Sequence, residues 1–548
     1  MAHLLLIDDD PLQLDIRRRL LERAAYSVTP ATTPDEALAC LTAHPPHCIL
    51  MDLRLPDAAT GRALLRDCKR LAPDIPVIVL TGLPQDLESA PERPLAGALL
   101  RKPVRSESLF STIRRLALCS TFFLLFSLAP ALAQIRDFPF SVANPRSELV
   151  ADLELSSPGA DWARAGAEAA LVRLTIAGLP PQHVIVYGGP RRHTYSVFLG
   201  RLPAGAHTLR LSRDSKLSAE NARLEIHDAR VREINPSDPG YLLLAHAPIL
   251  YPRSNTLPRF SDIPLLTYAT RSSDRNQRVL EYTVIFSNED GGTSTRSLMA
   301  RWGRPTDIEY VYRVWLDSHG APARTLIQTR GHKDVPYDGR REAFHPVLEP
   351  VTDNNMVEPA RGNSLIRFQL APVDADLANG SRELVMDQFP LTYSIAAREL
   401  LREKKLRAPG SPNSESISDP RNYLTVELKL NLSGGAVQIL AGRRNSNLWA
   451  GSSTGRAEDF ITRSGWVRAA IELPPNTAPD EITALAVQCM IRPDNRGKTT
   501  LKTASCAVEA IGKVFFLGND YLPRSPLRFA DAPAAIEAGA LAVFRRQP

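Results

Sequence analysis

Charge of one sign is what this 548-residue chain lacks: its formal net charge is only +6. The first 115 residues balance 15 basic against 15 acidic side chains, so the small excess is spread thinly over the rest. A nucleic-acid surface needs Lys and Arg gathered on one face, and no such footprint is expected. Cysteine is sparse, six residues in all. There is no internal repeat of fixed period. No Walker loop, His-Glu-x-x-His pair or EF-hand loop occurs, which removes the usual sequence support for nucleotide or metal-loop chemistry. What remains, 44% hydrophobic and 23% charged residues, is the composition of ordinary folded domains, and the length calls for several.

Long apolar runs are also scarce, and the one present divides the chain. Leu116–Ala133, LALCSTFFLLFSLAPALA, follows Arg114-Arg115 and ends in a small-x-small Ala-Leu-Ala before Gln134. A positive start, an apolar middle and that ending mark a secretory signal, or a short membrane anchor with its amino terminus inside. The expected organisation is a domain over 1–115, a signal peptide or transmembrane anchor over 116–133, a module over 134–234 and a larger domain over 241–548. The receiving compartment for 134–548 is then periplasmic or extracellular, and 1–115 stays in the cytoplasm.

Residues 1–115 alternate short apolar runs with helical stretches. Strands are expected at His3–Ile7, His47–Met51, Pro76–Leu80 and Ala98–Leu100. Helices are expected at Leu12–Arg23, Pro34–Thr42, Gly61–Leu71 and Ser106–Leu116. The βαβ alternation predicts a doubly wound α/β fold with a parallel sheet, whose ligands sit at the carboxyl ends of strands. Those ends carry Asp8-Asp9-Asp10, Asp52, Thr81 and Lys102. Acids crowded in one crevice call for a hard divalent cation, and Mg²⁺ takes such oxygen ligands. A carboxylate at Asp52 can attack phosphorus, with Thr81, Lys102 and the metal meeting the charge that develops.

The segments LLLIDDDPLQLDI, ILMDLRLPD, VIVLTG and LLRKP, in order and at matching spacing, resemble the flavodoxin-like receiver domain of bacterial two-component response regulators over residues 3–116. The resemblance implies that Asp52 is the phosphoacceptor and that Asp8, Asp9 and the Arg54 backbone carbonyl join it in holding Mg²⁺. It makes Thr81 the switch hydroxyl and Lys102, ahead of a cis Pro103, the contact to the phosphoryl group. The implied partner is a sensor histidine kinase or phosphotransfer protein. Three features depart from the pattern. Leu99 stands where an aromatic is usual, Pro91 and Pro94 interrupt the fourth helix, and one extra residue separates Asp52 from Gly61. No helix-turn-helix follows, so direct DNA binding is not expected.

Beyond Gln134 short alternating runs bounded by turn residues predict mainly all-β, sandwich-like domains. Strands are expected at Leu171–Ile176, His183–Tyr187, Tyr195–Leu199, His207–Leu211 and Ala222–Ile226, with Asn235–Gly240 as linker. The phrase YSVFLGRLPAGAHTLRLSRD reads as a hairpin and resembles accessory β-sandwich modules, carbohydrate-binding ones among them. In the larger domain one helix is expected at Ser394–Leu406, and six strands between Tyr423 and Leu517. The phrases AHAPILYP and TDIEYVYRV resemble a family of vacuolar-sorting-associated proteins. Asp307 and Glu309 flank one residue, hence share a strand face. The acidic turn Asn288–Gly292 and the stretch with His332, Asp334, Asp338, His345, Glu349 and Asp353 offer oxygens for Ca²⁺ or, with the histidines, a transition metal, but without a recognised ligand spacing they read as solvated loops. Cys489 and Cys506, in two strands joined by a polar turn, suggest one disulfide in an oxidising compartment.

The function expected is therefore a non-enzymatic phosphoacceptor in a two-component phosphorelay, joined to an exported β-rich region of unknown role. The alternative is a secreted β-sandwich binding protein, possibly for carbohydrate, or a hydrolase, with the receiver joined to it by an error in the gene model.

Overall fold

In the computed structural model the chain divides into two compact units, Met1–Leu132 and Ala133–Pro548. The residues described are 3–24, 26–43, 46–73, 75–104, 109–110, 112–113, 135–253, 256–257, 259–407, 416–444, 446–453, 455–492, 503–530 and 533–547. The apolar run Leu116–Ala133 and most of the expected helix Ser106–Leu116 lie outside them. Among the described residues no helix is long and apolar enough to cross a membrane.

In the first unit β1 (His3–Ile7), β2 (Ser27–Ala31), β3 (Cys48–Asp52), β4 (Val77–Thr81) and β5 (Ala98–Arg101) form one parallel sheet in the order β2-β1-β3-β4-β5. The helices are α1 (Pro11–Arg23), α2 (Pro34–Ala43), α3 (Ala58–Leu71) and the single turn α4 (Gln85–Glu88). Successive side chains of a strand point to opposite faces, and the core divides accordingly. Leu5, Ile7, Ile49, Met51, Val77 and Val79 pack with Leu41, Leu64, Leu65 and Leu87. Leu4, Leu6, Leu50, Ile78 and Leu80 pack with Leu14, Leu21, Leu109 and Ile113. Both faces are apolar, as a sheet covered by helices on each side requires.

Strand β2 escaped the sequence reading because Pro30 sits in it. It is an edge strand, where a missing N–H leaves no ladder bond unmade. The interrupted fourth helix is present as expected: α4 is followed by a 3₁₀ turn at Arg93–Leu95. The Lys102–Pro103 bond is cis, and so is Leu55–Pro56.

The second unit is mainly antiparallel. Its first seven strands are β6 (Ile135–Val142), β7 (Glu148–Ser156), β8 (Leu171–Thr175), β9 (Gln182–Ile185), β10 (His193–Gly200), β11 (Gly205–Arg213) and β12 (Glu225–Ile234). They form sheets β10-β7-β12 and β6-β11-β8-β9 over a shared core. The expected hairpin within YSVFLGRLPAGAHTLRLSRD is not one. β10 pairs with β7, whereas β11 pairs with β6 and β8, so residues 201–204 carry the chain between sheets. Tyr195 and Val197 on one side and Leu209 and Leu211 on the other all enter the same core. Facing sheets satisfy that; adjacent paired strands are not needed.

The middle strands are β13 (Ile249–Leu250), β14 (Pro264–Asp274), β15 (Gln277–Phe286), β16 (Ile308–Leu316), β17 (Pro322–Thr329), β18 (Lys333–Pro336), β19 (Arg341–Glu342), β20 (His345–Pro350), β21 (Val357–Pro359) and β22 (Val373–Asp374). Six of them build the sheet β18-β17-β16-β15-β14-β22. The core that begins at Val142 runs on through Tyr312 to Ile395 without a break at Asn235–Gly240. The expected helix at Ser394–Leu406 is found at Leu391–Arg402, after a short helix Leu384–Gln388; helices Tyr241–Ala245 and Thr295–Trp302 were not anticipated.

The last strands, β23 (Tyr423–Ser433), β24 (Gly435–Arg443), β25 (Ala450–Gly451), β26 (Gly465–Glu472), β27 (Ile482–Ile491), β28 (Ser505–Phe515), β29 (Ala534–Glu537) and β30 (Leu541–Arg545), form sheets β26-β23-β28-β29 and β25-β24-β27-β30. They enclose a core of their own. Cys489 and Cys506 are disulfide-bonded, 17 residues apart, with Cα atoms separated by 5.9 Å. The bridge is not between paired strands: Cys489 lies on β27 and Cys506 on β28, so it ties one sheet to the other. Gly435 makes room for it, since a Cβ there would stand 2.6 Å from the Cys506 sulfur. Reducing the bridge, or Cys489→Ser, is expected to lower the unfolding free energy of the second unit by about 3 kcal/mol on loop entropy. Denaturant melts with and without dithiothreitol measure this, and identical midpoints would contradict it.

Candidate functional site

The carboxyl edge of the parallel sheet gathers the polar residues that the strands release. Asp8 follows β1, Asp52 ends β3, Thr81 ends β4 and Lys102 follows β5. The acidic run separates by role. Asp10 is the N-cap of α1, accepting from the Leu12 N–H at 2.9 Å and the Gln13 N–H at 3.2 Å, with Pro11 at the first helical position. Capping by Asp satisfies N–H groups that the first turn leaves open. Asp8 and Asp9 face Asp52 instead: one oxygen of each lies within 4.8 Å of the others. Among the described residues no other group of three metal-type side chains gathers so closely.

Two cations answer these acids. The Lys102 Nζ stands 2.8 Å from the Asp52 carboxylate and 3.8 Å from Asp8. Arg17, on α1, pairs with Asp8. Three carboxylates against two cations leave one negative charge uncompensated, in a crevice where Asp8 is buried and Asp52 is mostly so. An all-carboxylate set of hard oxygen donors suits Mg²⁺. Thr81 is buried, and its hydroxyl accepts from the Leu83 N–H at 3.1 Å. The strand register sets Asp52 beside Leu80 and Thr81 beside Arg101, which holds the hydroxyl and ammonium on the same edge. The Arg54 side chain points elsewhere, to Asp86 at 2.8 Å.

Arg17 was missed in the sequence. The signal was there: α1 starts at Pro11, so Gln13 and Arg17 are one turn apart on one face, and they hydrogen-bond at 3.1 Å. Gly61 is also a site element. A Cβ at this position would lie 1.7 Å from the Leu53 carbonyl oxygen, immediately after Asp52. The first turn of α3, capped by the Asp57 side chain on the Thr60 N–H at 2.8 Å, approaches the loop that leaves β3 too closely for any side chain.

The acids expected as solvated turns in the second unit scatter only in part. His345 is buried on β20, stacked on Phe198 and 3.3 Å from Glu148, whereas His332 is exposed. Asp307 and Glu309, expected on one strand face, do meet and share a hydrogen bond.

PilH of Pseudomonas aeruginosa is 31% identical to this chain over 117 residues, which are 21% of this chain and 95% of PilH. The chain belongs to the response regulator receiver family. The response regulator receiver domain matches residues 4–114, and the remainder carries no family assignment. The transcriptional regulatory protein GlrR of Escherichia coli is 34% identical over 114 residues, 20% of this chain. The chain spans only a quarter of GlrR's length. A solved receiver domain from Clostridium thermocellum is 26% identical, covering 23% of this chain and all of that one with a TM-score of 0.21. Receiver domains are phosphorylated by histidine kinases, and the crevice of Asp8, Asp9 and Asp52 has the acidic character of a receiver site.

Gly61→Ala forces the Leu53 carbonyl away and displaces Asp52 with it. A loss of about 1–3 kcal/mol in receiver stability is expected from overpacking, and acyl-phosphate formation should slow more than stability alone explains. Phosphorylation rates on folded protein, paired with a denaturant melt, check this; an unchanged rate would contradict it.

Proposed function

We propose that Asp52 accepts a phosphoryl group from a sensor histidine kinase, a phosphotransfer protein or a small phosphodonor. The observation that carries this reading is the Lys102 ammonium 2.8 Å from the Asp52 carboxylate, in the cluster with Asp8 and Asp9. An Asp52 oxygen attacks phosphorus, the new O–P bond forms, and the donor's leaving atom takes the bonding pair. Lys102 sits where it neutralises the phosphoryl oxygens, and the Thr81 hydroxyl, now bound to the Leu83 N–H, is the group that turns toward them. Asp8, Asp9, Asp52 and the Arg54 carbonyl would hold Mg²⁺, which when bound supplies charge neutralisation for the transferring group. In the flavodoxin-like frame this makes 1–115 a signalling module and not an enzyme.

Incubating the full chain with acetyl phosphate and Mg²⁺ should add one acid-stable, base-labile phosphate. Asp52→Asn should abolish it, Lys102→Met should slow it by at least about tenfold, and EDTA should prevent it. Label that persists in Asp52→Asn overturns the assignment.

A redox contrast supports the further reading that 116–133 is an export signal or anchor and that sandwich-like modules follow it. The first unit holds free thiols at Cys40, Cys48 and Cys68 and the second a disulfide. Burial pushes Cys48 up to about 12 and Cys68 up to about 11, so both thiols are inert. A cytoplasmic receiver with an exported 134–548 accounts for both states. The alternative keeps 134–548 as a secreted binding protein or hydrolase made without the receiver. Antibodies to each half, used on the native cells, distinguish them: one membrane band reactive with both supports the joined chain, and a soluble band from Gln134 supports the alternative.

A further inference from the structure

A cavity of about 360 Å³ lies in the second unit where the middle sheet approaches β26. Four acids line it: Glu289, Asp307, Glu309 and Glu383. Asp307 and Glu309 flank Ile308 at the start of β16 and point the same way. Asp307 is buried, accepts from the Asn355 side chain at 2.9 Å and is hydrogen-bonded to Glu309. Glu289 comes from the turn after β15, where its carboxylate accepts from the Thr293 N–H at 2.7 Å.

The same walls carry arginines. Arg304 is paired at 2.9 Å with Glu383, both buried, so that pair is neutral. Arg382 and Arg463 have no such partner: among the described residues neither forms an ion pair. Arg382 donates to the Ile308 carbonyl at 3.3 Å and Arg463 to the Arg301 carbonyl at 2.6 Å. Arg463 is also held over the Trp302 ring, 5.1 Å from its centroid. Two guanidiniums are thus aimed at a cavity without a carboxylate of their own.

The acids offset them only in part. Burial pushes Glu289 up to about 8, Glu309 up to about 7 and Asp307 well above the carboxylate range. Near neutral pH Glu289 and Asp307 are therefore held mainly as neutral carboxyls and Glu309 in part, while Glu383 stays ionised against Arg304, which leaves Arg382 and Arg463 as the cations without an ion pair. Arg463 is half-buried and Arg382 exposed, and a guanidinium without a carboxylate partner gains a charge-assisted hydrogen bond when an anion enters here. Carboxyl groups both donate and accept, which matches hydroxyls and not an apolar ring. The volume is at the small end of ligand pockets.

We propose that this cavity binds a small polyhydroxylated carboxylate, of the hexuronic acid class, with its anionic group between Arg382 and Arg463 and its hydroxyls on Glu289, Asp307 and Glu309. All of its lining residues belong to the second unit, so the proposal does not rest on the phosphoacceptor reading.

The test titrates the full chain with glucuronate, glucose, glucose 6-phosphate and inorganic phosphate, read by calorimetry and by the fluorescence of Trp302 and Trp466, which line the cavity. Glucuronate is expected to saturate below ~10 mM and to bind at least about tenfold tighter than glucose. Arg463→Met should weaken it by about tenfold or more, and Arg382→Lys, which keeps the charge and serves if Arg463→Met fails to fold, by less. Affinity should fall from about pH 6 to about pH 9 as Glu289 and Glu309 ionise beside the bound anion. Burial lowers Arg463 only to about 10, Glu383 is held ionised by its arginines, and His332→Gln removes the histidine at the rim. Glu309→Gln should remove the part of the fall near pH 7 and leave the part that Glu289 gives near pH 8. Equal binding of glucose overturns the anionic assignment. Equal or tighter binding of phosphate or glucose 6-phosphate overturns the carboxylate. No saturation by glucuronate, or binding unchanged in both arginine variants, overturns the site.

Discussion

Carboxylates brought together out of water repel one another, and their number of nearby cations and protons decides what such a group can do. The two units meet this constraint in opposite ways. In the receiver, Asp8, Asp9 and Asp52 stay close enough to share a ligand while Lys102 and Arg17 stand against them. The cluster remains short of positive charge, which is the condition for drawing in a cation and an electrophilic phosphorus. In the second unit burial favours the proton instead, and Glu289, Asp307 and Glu309 are all held above the usual carboxylate range.

The surrounding structure follows from holding these groups in place. The sheet order β2-β1-β3-β4-β5 sets β1 and β3 side by side, so Asp8 and Asp52 leave adjacent strands at one edge. Helix α1 begins at once after the cluster, through the Asp10 cap, and that early start is what brings Arg17 back to Asp8. Gly61 lets α3 close over the exit of β3. In the second unit a fully buried Arg468 plays the comparable part. It meets Asp387 at 2.9 Å and Glu427 at 2.9 Å, and the Tyr393 hydroxyl at 2.8 Å, joining β23 and β26 to the two helices beside them. Removing one partner of such a group would leave the others uncompensated, a cost of about 3–5 kcal/mol.

The receiver was legible because its signals are local. Apolar runs of five residues gave β1, β3 and β4 nearly to the residue, and the polar residue after each run marked the site. Pro30 hid β2, since a proline in an apolar run argues for a break unless the strand is known to be an edge. Arg17 was passed over because its partner Asp8 lies ahead of α1, outside the helical face that Gln13 and Arg17 share. In the second unit the strands were readable but their pairing was not. Alternation fixes which face of a strand is buried, not which strand lies beside it. That ambiguity made β10 and β11 look like a hairpin and Cys489 and Cys506 look like neighbours across one, when both pairs bridge facing sheets.

The same limit explains why the acids of the second unit read as solvated turns. Asp307 and Glu309 were expected on one face, and they are; nothing local says that the face is covered. The cover comes from Arg382, Glu383 and Arg463, more than 70 residues away in sequence. Burial, not residue type, turns those carboxyls from surface charges into proton holders, and burial is set by the sheet packing that sequence alternation leaves open. A site built by long-range packing has no motif to find, whereas one built at the ends of adjacent parallel strands must repeat the same spacing wherever it occurs.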